Sequence, residues 1–155
     1  MALLFRELGF RRGAEIGVRL GHYSAHLCRA GLDILAVDIW EDEAIYRQAK
    51  AMLSQFRHCR LVRKSSIEAA ASVSNGSLDV VYIDADHHYD AVMKDLETWI
   101  PKVRPGGIIA GHDYHDFRPD TCQVMQAVNH WVSIQNIKPL FIAAKEREPS
   151  WFWVK

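Results

Sequence analysis

Short apolar runs alternate with amphipathic stretches along most of this chain. The runs fall at Ala14–Val18, Ile34–Ile39, Arg60–Val62, Leu78–Asp84 and Gly107–Ala110. Apolar residues on consecutive positions over so short a span read as strands covered on both faces. Between the runs, apolar positions recur at helical spacing. Ile45, Ala49, Met52 and Phe56 mark one helix, and Tyr89, Val92, Met93, Leu96, Trp99 and Ile100 a second. Val124, Val128, Trp131 and Val132 mark a third. Pro101 and Pro105-Gly106-Gly107 stop the second helix and turn the chain into the next strand. Two further strands, Pro139–Ala143 and Trp151–Val154, are so closely connected that they predict an antiparallel hairpin. The pattern as a whole predicts an α/β fold: a doubly wound, seven-stranded, mostly parallel sheet with an antiparallel C-terminal hairpin. Right-handed crossovers would place helices on both faces.

Composition narrows the function classes. The 155 residues suit one domain spanning 1–155, and 49% apolar with 25% charged residues is ordinary for a globular protein. Lys+Arg and Asp+Glu balance at 19 each, leaving no electrostatic footprint for a nucleic-acid partner. Three scattered cysteines, Cys28, Cys59 and Cys122, do not make a disulfide framework. The apolar start Ala2–Phe5 is too short for a signal-peptide core, and no apolar run approaches membrane length. The expectation is a cytoplasmic protein without a membrane partner.

The polar residues that interrupt this pattern sit at strand ends. Val80-Val81-Tyr82-Ile83 runs into Asp84-Ala85-Asp86-His87-His88, and Ile108-Ile109-Ala110-Gly111 runs into His112-Asp113-Tyr114-His115. Two buried strands that both end in Asp and His suggest one shared site, because ligands in open α/β sheets bind beyond the strands' carboxyl ends. The first strand leads into Glu15-Ile16-Gly17-Val18-Arg19-Leu20-Gly21. This Gly-x-x-x-Gly loop differs from the Gly-x-Gly-x-x-Gly of dinucleotide sites, and its acid suits an ammonium or sulfonium better than a phosphate. The second strand ends in Asp38, placed for a ribose diol, with Ile39 and Trp40 placed to flank an adenine.

Glu15-x-Gly17-x-x-x-Gly21, Asp38 and the Ile83-Asp84 strand end together resemble the class I S-adenosylmethionine-dependent methyltransferases, which are Rossmann-like. Tyr82-Ile83-Asp84-Ala85-Asp86-His87-x-Tyr89, Asp95-Leu96, Trp99, Pro105-Gly106-Gly107 and Gly111-His112-Asp113-Tyr114 narrow the likeness. They resemble the small-molecule branch that includes macrocin O-methyltransferase-like and catechol O-methyltransferase-like enzymes. The resemblance implies S-adenosylmethionine as cofactor. Glu15 and the Gly17–Gly21 loop would hold its amino-acid part and Asp38 its ribose. Ser65 or Ser66 would sit near the adenine, and Asp84 beside the transferred methyl. A small-molecule acceptor, most simply a hydroxyl, is implied as well, although N-methylation stays open.

Metal-dependent members of that branch hold Mg²⁺ through acids at the fourth and fifth strand ends, where Asp84 and Asp113 stand here. The fifth-strand pair is usually Asp-Asp or Asp-Asn; in this chain it is His112-Asp113. Imidazole suits softer divalent ions better than Mg²⁺. Two readings therefore stand side by side: His112 as general base without a metal, or Asp84, Asp86, His112 and Asp113 as ligands of a divalent ion. His87 could line the site or support the turn before its helix, and Tyr114 and His115 could line an acceptor pocket. Asp86-His87-His88 also spells the signature of a metal-dependent phosphoesterase family, but the accompanying Asp-x-Asp strand end is missing. A non-catalytic S-adenosylmethionine-binding domain is the third class. Little sequence precedes the first strand and no sizeable insertion forms a lid. A wall from the Tyr114–Cys122 loop or from a neighbouring subunit, hence a homo-oligomer, is expected.

Overall fold

The computed structural model describes residues 1–144 and 147–155. Seven strands form one sheet in the order β3-β2-β1-β4-β5-β7-β6. The first five are β1 (Arg12–Ile16), β2 (Asp33–Asp38), β3 (Cys59–Arg63), β4 (Leu78–Ile83) and β5 (Val103–Gly111). They run parallel. β7 (Ser150–Val154) lies antiparallel between β5 and β6 (Phe141–Ala143). The expected hairpin is present, and its second strand, not its first, is the one that joins the parallel sheet.

Five helices follow the parallel strands: α2 (His22–Arg29), α3 (Glu43–Leu53), α4 (Ser66–Ala70), α5 (Tyr89–Trp99) and α6 (Val124–Ile134). A sixth, α1 (Ala2–Glu7), precedes β1 and buries Phe5. Alternation along the strands divides the core. Leu35, Val37, Val81, Ile83 and Ile109 pack with α4, α5 and α6, together with Trp99 and Trp151. Ile34, Ala36, Val80, Tyr82, Ile108 and Ala110 pack on the other face with Phe5, Leu27 and Leu53. Burial on both faces is why these segments read as apolar throughout and not as alternating.

The β5–β7 seam is tight. A Cβ at Gly111 would lie 2.4 Å from the Trp151 ring and 2.5 Å from the Ile83 carbonyl oxygen. Trp151 Nε1 donates to the His112 carbonyl, 3.1 Å away. The antiparallel strand thus fixes the backbone where β5 delivers His112 and Asp113.

Candidate active site

All five parallel strands end on one side of the molecule, and a cavity of about 840 Å³ opens there. That volume is typical of small-molecule sites. At one end of the cavity lies the β1–α2 loop. Gly17 has φ +89°, and a Cβ on it would fall 2.0 Å from the Asp84 carbonyl oxygen. The loop therefore crosses directly over the end of β4, an approach open only to glycine. Gly21 provides the N-terminal cap of α2.

Glu15 is 2% exposed and accepts a hydrogen bond from the Ser24 hydroxyl. Burial pushes its carboxyl up to about 8, against the lowering effect of Ser24 and with help from the Asp84 charge. A buried acid of this kind is stabilised in its charged form by an arriving cation.

Asp38 is engaged by the protein itself. Oδ2 accepts from the Val18 and Arg19 N–H groups at 2.9 and 2.7 Å, and Oδ1 from the Trp40 N–H at 2.7 Å. Arg19 and Trp40 both have positive φ, 51° and 42°. The carboxylate pins two residues in a region that side chains seldom adopt. Oδ1 keeps an acceptor site for one hydroxyl. Ile39, 57% exposed, lines the cavity beside it. Trp40 does not join Ile39 against a base as expected: it is 2% exposed, packs on Tyr46 and donates through Nε1 to the Arg19 carbonyl.

Ser65 and Ser66 sit at the start of α4. Ser65 forms a reciprocal capping box with Glu68. Ser66 donates to Asp95 and accepts from Trp99 Nε1, 2.8 Å away. Asp95, on α5, is 5% exposed, and burial raises its carboxyl to about 6. Sequence does not mark its place on the cavity wall, because an acid among Asp90, Lys94 and Glu97 looks solvated.

The other end gathers the acids and imidazoles. His87 Nε2 lies 3.4 Å from Asp84 Oδ1 and 3.2 Å from Asp113 Oδ2. The bond to Asp84 comes first among the causes that raise the His87 pKa, joined by the Asp113 charge. Asp84, His87 and Asp113 each offer an atom within 4.8 Å of the others, as do His112, Asp113 and Glu148. Asp86 belongs to neither group among the described residues. It caps the turn into α5, accepting the His88 N–H at 2.9 Å and lying 2.6 Å from His88 Nδ1. Of the four ligands expected from sequence, Asp84 and Asp113 stand with His87, His112 stands with Asp113 and Glu148, and Asp86 turns to His88. For the same reason the Asp86-His87-His88 triplet does not converge on one point.

His112 Nδ1 lies 3.1 Å from Ser150 Oγ, itself 3.0 Å from the Tyr82 hydroxyl. Asp113 has φ 58° and is 7% exposed. Gln123 clamps the β4–α5 turn from both sides, its N–H donating to the His87 carbonyl and its Oε1 accepting the Tyr89 N–H, each at 2.8 Å. Glu148 lines the cavity, and Gln123 and Ser150 bond to residues around it; none carries a sequence signal, because they come from distant segments. Arg118 pairs with Glu148, tying the 114–122 loop to the segment before β7. Of the two residues expected in an acceptor pocket, His115 is buried and stacks on Phe117, and the Tyr114 hydroxyl donates to Asn129.

Comparisons with known proteins show the family and the fold. A family model described as "Methyltransferase domain" matches residues 14–114. The chain is 31% identical over 151 residues to the uncharacterized protein y4gI of Sinorhizobium fredii, covering 88% of this chain and 16% of that protein's length. In structure it is similar to the O-methyltransferase TomG from Streptomyces achromogenes in complex with SAM, at TM-score 0.76 and 16% identity. The match covers 99% of this chain and 77% of that one. It is equally similar to the O-methyltransferase from Bacillus cereus in complex with SAH, at TM-score 0.74, 16% identity, and 99% and 78% coverage. At such identities the likeness is one of fold.

Proposed function

Because the chain belongs to the methyltransferase-domain family, whose model matches residues 14–114, we propose that it transfers the methyl group of S-adenosylmethionine to a hydroxyl of a small molecule. One observation carries this reading. One cavity is lined by Glu15, Asp38 and Ile39 and also by Asp84, His112 and Asp113, with Asp84 beneath the glycine loop. Both groups of residues face the same cleft, as in-line transfer requires.

The cofactor supplies an electrophilic methyl on a sulfonium. The chain's own residues supply placement and proton handling. Glu15 offers a buried carboxyl to the amino group, and Asp38 offers Oδ1 to a ribose hydroxyl while locking the loop that covers both. Ile39 gives the base an apolar platform. At the acceptor end, His112 is the general base. With Nδ1 donating to Ser150, its Nε2 holds the lone pair that takes the acceptor's proton. Asp84 and Asp113 hold His87 between them, and this charged cluster orients the acceptor.

The donor chemistry also fits a divalent ion. Asp84, His87 and Asp113 would hold it through two carboxylates and an imidazole, a set suited to Mn, Fe or Zn more than Mg. Such an ion would lower the pKa of the bound hydroxyl.

Calorimetric titration with S-adenosylhomocysteine tests the cofactor half. One saturable site per chain is the expected result, and no binding by the folded protein would sink the proposal. Transfer of a labelled methyl to a panel of sugars, phenols and amines then tests the acceptor half, with hydroxyl compounds expected to be labelled.

A further inference from the structure

Asp95 is a buried acid without a structural reason to be one. It is 5% exposed, and among the described residues no cation pairs with it; the neighbouring Lys94 is bonded to Glu97 at 2.8 Å. Burying a carboxyl without a cation is costly, and a position that serves only packing would do better with an apolar or amide side chain. One oxygen accepts from Ser66, whose own oxygen accepts from Trp99 Nε1. The second oxygen takes no hydrogen bond from the described residues and is not sealed off from space. It is open to the cavity that Asp95 lines.

Its position within the cavity is specific. β2 and β3 are neighbours, with Asp38 in register with Arg63, so Asp38 and the Ser65-Ser66 turn lie side by side. Asp38 marks the ribose and Ile39 the face of the base. Ile39, Ser66 and Asp95 line one cavity, so a base lying on Ile39 and pointing away from the ribose would bring its far edge toward the Ser66–Asp95 pair. The pair presents an acceptor at that edge, with Ser66 orienting the carboxyl. Adenine carries there an exocyclic amino group, a neutral donor that pairs with carboxylate or amide oxygens.

We propose that Asp95, oriented by Ser66, reads the 6-amino group of the cofactor's adenine. The inference rests on the proposed cofactor and adds a specificity-determining residue to it. A site built around a donor on the ligand discriminates strongly against an analogue that lacks it, since the buried acceptor is then left unpaired.

The test is calorimetric titration of wild type, Asp95→Asn and Trp99→Phe with S-adenosylhomocysteine and S-inosylhomocysteine, which carries a 6-oxo group. Wild type should prefer the adenosyl ligand by roughly 10- to 100-fold, the range of one hydrogen bond to a charged group. Asp95→Asn should abolish or reverse that preference, because its amide N–H can donate to the 6-oxo group. Trp99→Phe breaks the same network without touching the carboxyl, and should weaken both ligands while keeping their ratio. Should Asp95→Asn fail to fold, Asp95→Ser carries the same ratio measurement. A wild-type ratio near one, or an unchanged ratio in the Asp95 variants, overturns the assignment while leaving the cofactor in place. Failure of wild type to bind either ligand overturns the cofactor reading itself, and this with it.

Discussion

Asp38 serves the fold through its backbone partners and, in the proposed function, would serve the ligand as well. Its carboxylate holds Val18, Arg19 and Trp40 through their backbone N–H groups, two of them at positive φ, before any ribose arrives. Asp38→Asn leaves one oxygen for three donors, so it should cost about 1–3 kcal/mol of stability as well as weakening S-adenosylhomocysteine binding. Thermal unfolding and calorimetry read the two losses separately. Asp113→Ala should instead spare cofactor binding and remove methyl transfer; equal loss of affinity in both variants would contradict that division. Glu15 gives a pH signature. Burial lifts its pKa to about 8, well above the 4.5 of an ordinary glutamate. The contribution of Glu15 to stability is therefore fully present below pH 4.5 and is lost as the pH rises toward 8, because the unfolded state ionises first. The groups that bear on this titration are Ser24, Asp84 and Cys59. Glu15→Gln should remove the slope, making the free protein more stable than wild type at pH 8 by on the order of a few kcal/mol. Denaturant unfolding at pH 5 and 8 measures this, and the same variant should bind cofactor more weakly.

At the scale of elements, the pieces that place the site are the strand ends and the short segments that pin them. β4 and β5 carry the acids to the cavity, and β7 locks β5 from outside. Gly111→Ala would drive a methyl into the Trp151 ring and the Ile83 carbonyl. It should cost about 1–3 kcal/mol through overpacking, seen as a lower Tm, and disturb His112 and Asp113 with it. The parallel elements were legible because runs such as Val80–Ile83 and Ile108–Ala110 are apolar throughout, which only a strand covered on both faces requires. Less legible was α1, a single short helix whose signal in sequence is four apolar residues. The order β5-β7-β6 was not legible either, since pairing partners depend on which edge is free once the parallel strands are laid down.

For the whole molecule, the proposed function rests on the cavity at the carboxyl ends of the parallel strands. Ligand binding there should stabilise the fold by mass action. Saturation to about 100 times Kd contributes about 2.7 kcal/mol, a rise of roughly 5–10 °C in Tm for a chain of this size. S-Adenosylhomocysteine should produce that rise in a thermal scan, and a flat response at saturating ligand would count against the cofactor. The chain by itself determined the strand-and-helix alternation, the glycine loop, Asp38, and the Asp-His strand ends, because each is a local pattern with a local physical cause. Only the tertiary structure decided that His87 and not Asp86 stands between Asp84 and Asp113, that Trp40 is buried while Ile39 faces the cavity, that Glu148 and Asp95 line it, and that Gln123 and Ser150 hold residues around it. These choices depend on which way a turn rotates each side chain and on contacts between segments far apart in the chain, and neither is written in spacing or periodicity.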